Sequence, residues 1–229
     1  MSSSPIELTV RPSGRRRNAA RAGVRIELVT VLWMTVEAVV AIGAGVLARS
    51  ILLTSFGIDS VIELVAGGTL LWRLWTEARG QTLERVERAE RRAAWITGIG
   101  LAVLCVYVLA TAALALATAT HPSTSVVGIL LAAAAVLVMP ILVWRKCVIA
   151  ARLDSAALRA DAACSLTCAY MAAILLAGLA VTSVFRWWWA DAVAALAFLI
   201  WLIPETREAL EGARAGRGGC GCGEDHCAE

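Results

Sequence analysis

Apolar windows at 26–48, 52–72, 95–117, 126–144, 158–181 and 187–203 take up most of this 229-residue chain. A bilayer core takes about 20 predominantly apolar residues per helix, so the succession requires a membrane protein and leaves no stretch for a large soluble domain. Composition agrees: 59% of residues are hydrophobic and 17% charged, against about 45–50% and about 25% in a soluble domain. The run from 26 to 72 is too long for one helix, and Arg49-Ser50 marks the place where it turns at a surface. The expected fold is an all-α membrane protein with six transmembrane helices.

The net charge of +3 conceals an asymmetry, since all but one of the 21 basic residues are Arg and they gather in the segments between apolar windows. Basic density alternates from the N-terminal tail onward: rich, poor at Arg49, rich across 73–92, empty between the third and fourth windows, rich across 145–159, poor at Arg186, rich in the C-tail. By the positive-inside rule this supports six spans with both termini cytosolic. It also explains the basic residues without nucleic acid. The division expected is an Arg-rich cytosolic tail (1–25), a transmembrane transport domain (26–203) and a short cytosolic tail (204–229). Residues 1–25 are too polar for a cleaved signal, and the next apolar run, with Glu27 and Glu37, is longer than a signal-peptide core. Between the second and third windows, Glu84 with Arg88 and Glu87 with Arg91 stand at i,i+4, which predicts a charged helical extension. Trp72, Trp75, Trp95, Trp144 and Trp187 to Trp189 fall at window ends, where indole rings anchor at the interface. The seven Cys do not read as a disulfide framework, because Cys105, Cys164 and Cys168 lie inside apolar windows and the rest beside Arg-rich segments; free thiols or metal ligands are expected.

Asp59 and Glu63 share one helical face near the middle of the second window. Ionised carboxylates there cost several kcal/mol, about 2.5–17 at bilayer centre across contested scales. Protonated acids could instead act as interhelical hydrogen-bond glue, but that is worth only about 0.6–2 kcal/mol per contact. A functional pair is the better reading. Cys164 and Cys168 repeat the i,i+4 spacing in the fifth window; taken alone they are ordinary small packing residues. Their register alters that, because Ser50-(eight residues)-Asp59 and Ser155-(eight residues)-Cys164 match in spacing. The echo suggests two three-helix halves, inverted relative to each other as in many secondary transporters, although one short match can arise by chance. With the two spans antiparallel, Cys168 faces the level of Asp59 and Cys164 that of Glu63, a tetrahedral set of two oxygens and two sulfurs. Metal binding displaces protons from such ligands. A site open alternately to the two sides then lets a proton gradient expel metal. Thiolates favour Zn²⁺, Cd²⁺ or Hg²⁺ over Mg²⁺ or Mn²⁺.

These residues carry a resemblance to the cation diffusion facilitator family. Ser50-Ile-Leu-Leu-Thr-Ser-Phe-Gly-Ile-Asp59-Ser-Val-Ile-Glu63 resembles its second-helix motif, Ala157-Leu-Arg-Ala-Asp161-Ala-Ala-Cys164 its fifth-helix signature, and Trp189-Ala-Asp191 its sixth-helix opening. The resemblance implies divalent-cation/proton antiport, usually by a homodimer, with metal held at Asp59, Glu63, Cys164 and Cys168. It implies a transporter rather than an enzyme, with no tightly bound cofactor. Two departures stand out. Cys replaces the family's usual His and Asp on the fifth helix, which points to softer ions, and the cytosolic domain that commonly follows the sixth helix is expected to be missing.

Other residues are less specific. Asp161 is either an entry-path carboxylate or a partner for Arg159 or Arg152. Glu37 is a proton relay or a hydrogen-bond partner between helices, ranked below the four ligands, and Asp191 reads as the N-cap of the sixth helix. Cys220, Cys222, His226 and Cys227 stand among glycines in the tail, a composition suited to capturing a soft cation. His121 is a single loop residue. Small-residue runs (Gly43-Ala44-Gly45, Ala66-Gly67-Gly68, Ala132 to Ala135) let helices approach closely, and Pro140 predicts a kink. The plasma membrane is expected because no organelle address is evident. The competing reading is a membrane metal-binding or thiol redox sensor that does not transport; a membrane thiol oxidoreductase is weaker still, lacking C-x-x-C and any nucleotide signature.

Overall fold

A computed structural model describes residues 14–79, 84–119, 121–153 and 155–215. They form six helices and, among the described residues, no strand: α1 (Gly14–Ala48), α2 (Ile51–Ala78), α3 (Glu84–Thr118), α4 (Val126–Leu153), α5 (Ala156–Phe185) and α6 (Ala190–Arg214). The first five contain segments long and apolar enough to cross a membrane. α6 falls short of that standard because its apolar part ends at Ile203, followed at once by Pro204, Glu205 and Arg207 inside the same helix. The helices overrun the apolar windows at several ends: α1 starts twelve residues before Ile26, and α6 continues to Arg214, past the boundary expected at 203.

The helices are inside-out amphipaths. On α1, Glu27, Thr30, Met34, Glu37, Ala38 and Ala41 recur at helical spacing and are buried, while Leu28, Val29, Leu32, Val36 and Val39 are exposed. Hydrocarbon solvates such an outer face at no cost. The polar residues turn inward because lipid offers them no hydrogen bond. On α4 the buried stripe is Gly128, Leu131, Ala132, Ala135, Met139, Leu142, Lys146, Ala150 and Leu153, and the helix runs unbroken through Pro140.

α1 packs against α2 and α4; α2 also meets α3, α5 and α6; α3 pairs with α6, and α5 with α4 and α6. The central core includes Leu52, Phe56, Met139, Met171, Leu175 and Phe198, and a smaller cluster of Ala20, Leu70, Leu74, Ala150, Leu153 and Leu158 closes the end that carries the N-terminus of α1. Close approach between α1 and α2 depends on two glycines. A methyl at Gly57 would meet Ile42 N at 2.8 Å, and one at Gly45 would meet Thr54 N at 2.7 Å. Gly43 and Gly68 have open space beside them, so only part of each small-residue run serves packing.

The matched serines take identical roles. Ser50 caps α2 by accepting from Leu53 N, and Ser155 caps α5 by accepting from Leu158 N. Each leaves the following eight residues to carry Asp59 and Cys164 to the same depth along their helices. Asp191 departs from expectation: the N-cap of α6 is Trp189, which makes no side-chain cap hydrogen bond. Asp191 instead reaches the start of α2, where Oδ1 accepts from Ser50 Oγ at 2.5 Å and Oδ2 from Ile51 N at 2.8 Å and Leu52 N at 3.4 Å. One carboxylate thus satisfies the buried and part-buried, otherwise unpaired first-turn donors of a neighbouring helix and joins α6 to α2. The α3 extension is helical from Glu84, where Arg88 Nε donates to the Glu84 carbonyl.

Candidate functional site

Asp59, Glu63, Cys164 and Cys168 all point into the bundle, at 1%, 7%, 3% and 0% exposure. The reason lies in the two buried stripes: Phe56, Asp59, Ser60, Glu63 and Gly67 follow one another on α2, and Leu158, Ala162, Cys164, Cys168, Met171 and Leu175 do so on α5. Where α2 and α5 meet, the Cys168 thiol faces the Glu63 carboxylate, with Glu37 and Asp59 in electrostatic range; this corrects the expected register, which set Cys168 level with Asp59, because helix rotation and offset decide the pairing as much as residue counts do. Glu37, on α1, is fully buried beside Asp59. Neither oxygen of Asp59 has a hydrogen-bond partner among the described residues, and Glu37 has only the Trp33 indole within reach, too poorly aligned for a regular hydrogen bond.

Buried carboxylates without donors are expensive, and their convergence on one thiol gives an interior rich in candidate cation ligands. Among the described residues, however, no three His, Cys, Asp or Glu side chains are gathered as a ready metal cage. The chemistry offered is oxygen plus sulfur from three helices, α1, α2 and α5. Cys105 is on α3, its Sγ 3.4 Å from Thr206 Oγ1 of α6 and within electrostatic range of Asp59.

A second polar cluster lies toward the end that carries the N-terminus of α1. Lys146 is fully buried on the α4 stripe and bridges three helices: Nζ is 3.3 Å from Glu27 Oε2 of α1, pairs with Asp161 of α5, and donates to Ser165 Oγ at 3.0 Å. Asp161 therefore has a partner other than the two arginines considered from sequence. Sequence reading passed over Lys146 and Glu27. The available signals were that Lys146 is the sole lysine of the chain and that it keeps the spacing of Met139 and Leu142 on a core-facing stripe.

Among the described cysteines, Cys105, Cys164 and Cys168 form no disulfide, whereas Cys147 is disulfide-bonded, which departs from the expectation of free thiols or metal ligands. Cys220, Cys222, His226 and Cys227 lie outside the described residues. The tryptophans expected at the interface are largely exposed, Trp72, Trp75, Trp95, Trp144, Trp187 and Trp189 among them. At the end opposite the α1 N-terminus, Trp187 stacks on Trp189 at 5.1 Å and Trp188 lies 6.1 Å from His121.

No individual curated protein matches the chain. Residues 28–211 match the family model described as the cation efflux transmembrane domain, a segment that takes in all four buried α2 and α5 ligand candidates and Glu37 of α1's inner face, but not Glu27. An integral membrane helical bundle with an acid- and thiol-lined interior, matched over most of its length, identifies this chain as a member of the cation diffusion facilitator family, a cation efflux transporter.

Proposed function

We propose that the protein exports Zn²⁺ or a softer divalent ion, Cd²⁺ or Hg²⁺, in exchange for protons, with Asp59, Glu63, Cys164 and Cys168 as the transport ligands. The observation that carries this reading is the convergence of Cys168 and Glu63 inside the bundle, with Asp59 and Glu37 close by. Donor chemistry sets the ion class, since sulfur ligands select borderline and soft metals. Because thiols and carboxyls must be deprotonated to ligate, each metal that binds releases protons. Metal and protons therefore compete for one set of side chains, which is the thermodynamic requirement of antiport.

A closed four-ligand cage is a transient of the cycle on this reading: α2 and α5 draw together around the ion and part to release it. Both termini face the cytosol, the membrane is the plasma membrane, and the working unit is a homodimer. Glu37 serves as a proton relay beside Asp59. The tail thiols and His226 capture metal on the side from which it is exported.

The test uses purified protein in sealed vesicles carrying one pH-sensitive and one metal-sensitive dye, with Zn²⁺, Cd²⁺ and Mn²⁺ added in turn. Coupled opposite fluxes of metal and protons for Zn²⁺ and Cd²⁺, abolished by Asp59→Ala and by Cys164→Ser/Cys168→Ser, are expected. Metal binding with no flux of either ion would overturn the transport reading in favour of a membrane metal sensor, which should tolerate Asp59→Asn and Glu63→Gln.

A further inference from the structure

The Lys146 cluster has the composition of an occupied cation site. Two carboxylates from different helices, Glu27 and Asp161, and the Ser165 hydroxyl surround a single ammonium. Lys146 and Glu27 are fully buried, and Asp161 keeps 14% of its side chain exposed, so the cluster reaches toward the surface on one side. Both carboxyls converge on that one ammonium, an arrangement a divalent cation can take up in its place. One carboxyl oxygen is also left over. Glu27 Oε1 is buried without a hydrogen-bond partner among the described residues. It points at Gly67 of α2, where an added methyl would lie 3.1 Å away.

The position of the cluster matters as much as its charge. Gly67 is one helical turn beyond Glu63 on α2, and on α5 Asp161 and Ser165 bracket Cys164. One turn rises about 5.4 Å, so an ion at Glu27 and Asp161 is a single short step from the proposed transport ligands on both helices. Lysine suits a place that must be vacated, because its ammonium is a point charge on a flexible stem with no fixed fork geometry.

We propose that Glu27, Asp161 and Ser165 form a second divalent-cation site beside the transport ligands, which the Lys146 ammonium fills at rest and yields to an incoming ion. The site's direction of use, as an entry station, rests on the transport reading; its existence does not. Its donors are all oxygen, so it is less selective for soft ions than the thiol-bearing site and accepts Mn²⁺ as well as Zn²⁺.

The sole lysine makes the test direct. Full-length protein in lipid nanodiscs is reductively methylated with and without Zn²⁺ or Mn²⁺, and Lys146 labelling is read by peptide mass spectrometry against the chain's α-amino group as internal control. Lys146 labelling is expected to rise roughly tenfold at saturating metal, as when a ligand takes the unpaired state from about a tenth of the molecules to nearly all of them. The same rise is expected in Asp59→Asn, in which the transport ligands are disabled. Labelling that ignores both metals overturns the proposal, and so does a response that disappears in Asp59→Asn, since Lys146 would then follow the transport cycle rather than exchange with the ion. Vesicle flux without a labelling response sinks this inference alone; a labelling response without flux sinks the transport reading alone.

Discussion

Single residues carry unequal weight in this bundle. Lys146 holds two carboxylates in a medium where unpaired charge is costly, so Lys146→Met should destabilise the protein by about 3–5 kcal/mol, the range for breaking a buried ion pair from one side. Adding Glu27→Gln and Asp161→Asn removes the stranded charges, and thermal unfolding in detergent, followed by tryptophan fluorescence, should show most of the loss restored. The ligand thiols make a different kind of prediction. If sulfur sets ion preference, Cys164→His/Cys168→Asp should lower Cd²⁺ transport relative to Zn²⁺ by about tenfold or more, since the soft donors are replaced by nitrogen and oxygen; an unchanged ratio in the vesicle assay would remove the thiols from the selectivity argument. That Asp59 and Glu63 face inward could be read from i,i+4 spacing within an apolar window. That Asp161 and Glu27 share Lys146 could not, because the three residues come from α5, α1 and α4.

Helices are held together here by close backbone approach and by caps that cross between elements. Gly57→Ala sets a methyl against the Ile42 backbone, which cannot step aside as a side-chain tip would, so a loss of about 1–3 kcal/mol is expected from overpacking. It should also push α1 from α2, separating Glu37 from Asp59, and weaken Zn²⁺ binding measured by calorimetry. Gly43→Ala, on the same run but facing open space, should be neutral in both measurements. Asp191→Ala removes the acceptor of three donors at the head of α2; a cost of about 1–3 kcal/mol follows from leaving buried donors unsatisfied, with Asp191→Asn losing less because an amide oxygen still accepts. Ser50 and Ser155 stand out in the sequence for their matched spacing, and their role as N-caps came from the structure, although Ser before an apolar run is a start signal. The target of Asp191 was not legible: its sequence position at the head of α6 suggested a local cap, and the chain brought it to another helix.

At the scale of the whole molecule, competition between metal and protons fixes a sign. Acidifying the side to which metal is delivered should accelerate export by protonating the emptied ligands, and acidifying the side from which it is taken should slow uptake, because protons then compete for the same groups. Vesicles with an imposed pH difference of either sign test this, and a rate indifferent to the gradient would remove the antiport reading. A dimer in detergent should show twice the 24.2 kDa chain mass by light scattering once bound detergent is subtracted.

The sequence by itself determined that this chain is a helical membrane protein, that it has six helices, and that Asp59, Glu63, Cys164 and Cys168 lie inside it. All of these follow from local rules, the apolar length needed to cross a bilayer and the 3.6-residue period that sorts a helix into faces. Only the tertiary structure decided that α6 caps α2, that Cys168 meets Glu63 while Glu37 arrives from α1, and that Lys146 ties α1 to α5. Those contacts depend on which helices are neighbours and how far each is rotated, and in a bundle whose outer surfaces are uniformly apolar, hydropathy along the chain carries no record of either.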